Sequence, residues 1–111
     1  MEEIWDEDGG LSEKFATSFG KWVARTGGDL DEVTESTIVC EFDDIGVTIG
    51  MYEETGRKEF KLRTLREEIE LRMVTKYKLG SDRLVLQTGR GSRRFVFDVP
   101  NEEWTVKKRS V

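Results

Sequence analysis

Between Ser36 and Val99 apolar and polar residues alternate in short runs, and most of the connections between runs hold only a few residues. STIVCEFDD sets Ile38, Cys40 and Phe42 on one face and Val39 and Glu41 on the other. VTIGMY alternates Val47, Ile49 and Met51, and KEFKL returns with Phe60 and Leu62. A period of two marks a strand with one buried and one solvated face. The links DDIG and EETGR are far shorter than the crossover of about a dozen residues that parallel strands require. The expected arrangement is therefore an antiparallel meander.

The end of the chain continues the pattern. GSD at 80–82 turns into RLVLQT, and QTGRGSRR at 87–94 turns again. RRFVFDV then sets Phe95, Phe97 and Val99 on one face before Pro100-Asn101 stops it. EWTVKK follows as a last edge strand or helical turn anchored by Trp104 and Val106. Gly89 and Gly91 suit the positive φ of a hairpin loop.

Two segments carry competing periods. In LSEKFATSFGKWVARTGG, Leu11, Phe15, Phe19, Trp22 and Val23 share a helical face, with Ser12 as N-cap and Gly27-Gly28 as terminator. A strand reading of Phe15, Thr17, Phe19 and Val23 is interrupted at Lys21, so a helix is expected. Gly20-Lys21-Trp22 resembles the G-x-W opening of lipocalin-type barrels, where it precedes the first strand. Three residues assign no family. In TLREEIELRMVTKYKL, Thr64 and Glu67 form an S/T-x-x-E capping box, with Leu65, Ile69 and Met73 on one helical face and Glu68 positioned to support Arg72. Ile69, Leu71, Met73, Thr75, Tyr77 and Leu79 also alternate as a long strand. A capped turn at 64–67 followed by a strand beginning between 68 and 73 reconciles the two.

The expected fold is mainly β: a small curved antiparallel sheet or barrel of six or seven strands with an N-terminal helix. The alternative is an α+β fold with a second short helix near 64–72. At 111 residues the chain suits one domain, taken as 11–111 after a flexible acidic tail at 1–10, where Ile4 and Trp5 offer an apolar hook.

Composition narrows the chemistry. With one cysteine, Cys40, and no histidine, an intrachain disulfide is impossible and zinc or haem ligation is disfavoured. Cys40 also lacks a histidine base and reads as a small core residue. Asp43-Asp44 and Glu67-Glu68-Glu70 are too close together for a defined acid–base pair, and the spacing of a calcium loop is absent. Gly89-Arg90-Gly91-Ser92 lacks both common nucleotide-loop patterns and precedes a strand rather than a helix. No enzyme activity, metal or cofactor is expected. MEEIWDEDGG lacks the basic start and apolar stretch of a secretory signal, so a cytoplasmic or otherwise intracellular location is expected.

The net charge of −5 conceals a division. Residues 1–54 hold 15 acidic and 3 basic side chains (−12), and residues 55–111 hold 8 acidic and 15 basic (+7). Such a division allows a chain to orient a partner if the halves form different surfaces, or to pair across strands if they interleave. The candidate binding residues are Arg90, Arg93 and Arg94 at the hairpin and Lys107, Lys108 and Arg109 at the C-terminal run. They form one patch only if the last segment pairs beside the hairpin, and Arg93 and Arg94 are expected to point in opposite directions. The expected role is a non-enzymatic protein-interaction or regulatory module that meets an acidic protein surface. Self-association is the second possibility. Nucleic-acid or anionic-phosphate binding by the same cations is the alternative, a cavity ligand is a further class, and a membrane is not among the expected partners.

Overall fold

Strand ends, turns and one residue of positive φ divide the meander into two sheets. The computed structural model describes residues 1–52, 54–89 and 93–108, with Lys108 described by its backbone alone. Among these residues lie β1 (Glu2–Glu3), α1 (Glu13–Arg25), β2 (Asp29–Val33), β3 (Thr37–Phe42), β4 (Ile45–Tyr52) and β5 (Arg57–Arg63), followed by β6 (Glu68–Arg72), β7 (Val74–Leu79), β8 (Arg83–Thr88), β9 (Arg93–Asp98) and β10 (Glu103–Lys108). The first sheet runs β2-β3-β4-β5-β6 and the second β1-β7-β8-β9-β10.

The division occurs at Met73. Its φ of 59° places it in the left-handed region, which costs an L-residue about 1–2 kcal/mol. Its N–H donates to Lys58 O on β5 (2.8 Å), and its carbonyl accepts from Gly89 N just beyond β8 (2.7 Å). One residue thus bonds to both sheets. It also shifts the phase of the alternation: Leu71 and Val74 are buried while Met73 is 66% exposed. A second irregularity, between Val74 and Lys76, precedes buried Tyr77.

This corner corrects the expectation of a six- or seven-stranded single sheet or barrel. A uniform pleat through Ile69–Leu79 would carry one hydrogen-bonded sheet past Met73; the bend instead produces two separate five-stranded sheets. The second helix near 64–72 is corrected too. Thr64 Oγ1 accepts from Arg66 N and Glu67 N (both 3.2 Å), and Thr64 N donates to Glu67 O (2.9 Å). These bonds close a turn, and β6 begins at Glu68.

The sheets enclose one core. Phe60 of β5 meets Phe95 of β9 at 4.9 Å between ring centroids, and Phe42 of β3 meets Phe97 of β9 at 5.6 Å. Each such side chain contributes about 1.5–3 kcal/mol on full burial. The helix α1 packs its Phe15, Phe19, Trp22 and Val23 into the same core. Its start is capped by Ser12 Oγ accepting from Phe15 N at 3.0 Å. Gly28, leaving the helix, approaches so closely that a Cβ there would sit 2.6 Å from Phe42 Cε1. Gly20-Lys21-Trp22 lies inside α1, so the barrel-type strand opening it resembles is not formed.

The first ten residues contribute to this packing. β1 pairs with β7, and Ile4 and Trp5 are buried. Ile4 N donates to Thr75 O (3.0 Å), Trp5 Nε1 donates to Val74 O (2.6 Å), and Lys58 Nζ lies 5.4 Å from the Trp5 ring centroid. Among the described residues no helix is long and apolar enough to cross a membrane.

The corner gives an opposite mutational order from a continuous strand. Met73→Val should destabilise the protein by about 1–2 kcal/mol because a β-branched residue is strained at positive φ. Met73→Gly should leave stability equal or raised by up to about 1 kcal/mol, since glycine relieves strain at some entropic cost. Denaturant unfolding of both variants checks this; a regular strand would make valine the better residue.

Candidate interaction surface

The hairpin arginines and the C-terminal cations are brought together by strand register. β9 and β10 are antiparallel, with Arg94 opposite Lys107 and Arg93 opposite Lys108. Arg90 and Arg109 lie outside the described residues. Opposed residues in such a ladder share a sheet face, and successive residues alternate. Phe95 and Phe97 are fully buried on the inner face, so Arg93 follows the inner-face parity and Arg94 the outer. Arg93 is therefore separated from Arg94 and Lys107, which share the outer face.

The outer group extends across four strands. Gln87 of β8 pairs with both Lys76 of β7 and Arg94 of β9, giving the row Lys76, Gln87, Arg94, Lys107. At the usual strand spacing this row covers about 14 Å. The next row along the strands is Lys78, Val85, Val96 and Thr105, whose valines are half-buried. Arg94 and Lys107 are exposed, and among the described residues neither has an ion-pair partner; Lys76 reaches Glu3 Oε1 only at 3.9 Å.

Other cations are paired locally. Arg57 and Lys61 lie 4.0 and 3.9 Å from Glu59, whose side chain is only 5% exposed. Arg63 meets Glu68, and Arg72 meets Glu70, both at 3.3 Å. Arg83 lies 3.9 Å from Asp98. The exposed pairs among these contribute little stability, and every pair places a carboxylate beside its cation. Arg94 and Lys107 have no such neighbour among the described residues.

Arg93 lines a different feature, a cleft of about 530 Å³ at the corner, with Glu70, Arg72, Met73 and Thr88. Arg72 enters it already paired with Glu70, so the cleft brings two guanidinium groups and one carboxylate together. The cation grouping read from the sequence omitted Lys76, Gln87 and Arg72. Lys76 and Gln87 occupy alternating positions in their own strands, and only the cross-strand register brings them beside Arg94.

Cys40 is fully buried between strands, and burial, followed by the charges of Asp31 and Glu41, pushes its thiol up to about 12. Its thiolate is scarce at neutral pH. Asp43 and Asp44 occupy the β3–β4 turn, and among the described residues no group of three or more His, Cys, Asp or Glu side chains is arranged to hold a metal ion. Near β2, carboxylates repel one another: the charge and hydrogen bonding of Asp31, then desolvation and Asp29, raise the Glu41 carboxyl above its ordinary value.

No protein-family model, curated protein or solved structure matches the chain.

The Glu41 shift has a definite pH consequence. A raised folded-state carboxylate destabilises the fold above that raised pKa, and the penalty disappears as pH falls and the group takes up its proton. Asp31→Asn should therefore raise the melting temperature at neutral pH, with the gain shrinking through the carboxylate range toward acid. Paired thermal melts across that range check both the sign and the loss of the difference.

Proposed function

We propose that this protein is a non-enzymatic interaction module that docks an acidic surface of another protein, inside the cell, on the outer face of its second sheet. The observation that carries this reading is the row Lys76, Gln87, Arg94 and Lys107, set side by side by the register of four strands. Sheet-borne side chains hold their spacing better than loop-borne ones. Val85 and Val96 in the adjoining row add a small apolar centre beside the cations. Charges arranged in this way accelerate encounter and set orientation, with affinity falling as salt rises.

The chemistry favours protein over nucleic acid. Single-stranded nucleic acids are held by basic grooves with aromatic stacking platforms. The aromatic residues of β9, Phe95 and Phe97, are fully buried on the opposite face, and neither row of the outer face carries an aromatic side chain. Arginine and lysine beside valine suit carboxylates on a folded surface without that requirement.

Charge reversal at the two exposed cations tests the proposal. Arg94→Glu with Lys107→Glu should retain the wild-type melting transition while reducing capture of its protein partner from nuclease-treated extract at least tenfold. Capture should also weaken steeply with salt. Equal capture by the variant would remove the docking face. Capture abolished by nuclease, together with direct binding of labelled RNA or DNA at physiological salt, would decide for nucleic acid.

A further inference from the structure

Each sheet has a long free edge, and the two edges differ in charge. Among the described residues β2 bonds only to β3, and β10 only to β9. β2 is DLDEV and is exposed throughout, with Leu30 43% and Val33 55% accessible. Its three carboxylates lie in five residues. β10 is EWTVKK, with Val106 43% accessible and two lysines at its end. Edge strands expose unpaired N–H and C=O groups that another strand can complete.

Charge restricts which strand can complete β2. A second β2 would oppose carboxylates with carboxylates at an edge where Asp31 already raises the Glu41 carboxyl. A lysine-bearing strand would relieve that repulsion. In an antiparallel register with Val33 opposite Val106, Glu32 stands opposite Lys107, and Asp31, in the β2 irregularity, comes next along the strand toward position 108. Both valines also have inner-face parity, because Val33 pairs with buried Ile38 and Val106 with buried Phe95. The apolar and ionic matches therefore occur in the same register.

We propose that the protein associates head to tail with further copies of itself, β2 of one copy adding to β10 of the next. This contact uses strand edges and does not depend on the outer-face docking reading. It is heterologous, so repetition gives a ring or an open filament rather than a closed two-fold dimer. The irregularity between Leu30 and Glu32 shortens the available ladder. Association is consequently weak, reversible and sensitive to salt.

Sedimentation velocity from micromolar to millimolar protein, at low and high ionic strength, tests the contact. Wild type should show mass-dependent association at low salt and revert to monomer at high salt. Asp31→Lys with Glu32→Lys, and separately Lys107→Glu with Lys108→Glu, should each remain monomeric while keeping a single cooperative melting transition, raised above wild type in the β2 variant by relief of the Asp31–Glu41 repulsion. Mixing these two reversed proteins should restore association, because each supplies the edge that the other has lost. Arg94→Glu, on the outer face, should associate as wild type does, which separates this contact from partner docking. A wild type that stays monomeric throughout, an oligomer that survives reversal of β2, or reversed proteins that fail to combine would overturn the proposal.

Discussion

The structure depends on the backbone of Met73. Its left-handed φ lets one N–H complete a bond to the first sheet and the same residue's carbonyl accept a bond beside the second. Strain of about 1–2 kcal/mol at one residue is small beside the apolar burial it permits. Without the bend, inward positions on β6 and β7 would keep one phase, and Val74 would point away from the core. With it, Leu71 and Val74 both enter the interior. Phe95 and Phe97 of the second sheet then meet Phe60 and Phe42 of the first.

The same pleat that fills the core sorts the cations. Because Phe95 points inward, Arg94 must point outward and Arg93 must follow the inner parity toward the corner. A row of arginines in sequence becomes two separate features in space. Register then assembles the outer feature from strands that are distant in the chain: Lys76, Gln87, Arg94 and Lys107 come from β7, β8, β9 and β10. The acidic and basic halves of the sequence are partly interleaved, since β5 adjoins β4 and β1 adjoins β7. Among the described residues, Lys76 with Glu3 is the one ion pair that crosses between the halves, and the others form within a half.

Much of the fold was legible where burial on one face imposed alternation. β3, β4, β5, β8 and β9 follow their apolar period, and α1 follows its N-cap and its stripe of Phe15, Phe19, Trp22 and Val23. β2 was hidden because every residue in it is exposed, leaving no apolar period to read. Met73 was misleading because a methionine fits alternation equally well whether it is buried in a strand or exposed at a bend. Thr64 and Glu67 carried a capping signal whose side-chain bonds serve a turn equally well. Of the candidate site, the opposing directions of Arg93 and Arg94 followed from period two alone. Lys76 and Gln87 required the pairing of β7 with β8 and β9, which depends on register across a corner that no local pattern marks.

The central claim is that Arg94, together with Lys76 and Lys107, forms the receiving surface, while Arg93 belongs to the corner. An NMR titration with a glutamate-rich peptide, following backbone amides and arginine Nε–H signals, measures this directly. The account predicts salt-sensitive shifts centred on Lys76, Gln87, Arg94 and Lys107, with Arg72 and Arg93 unmoved. Shifts centred on Arg72 and Arg93, or no shifts on the outer face at low salt, would contradict it.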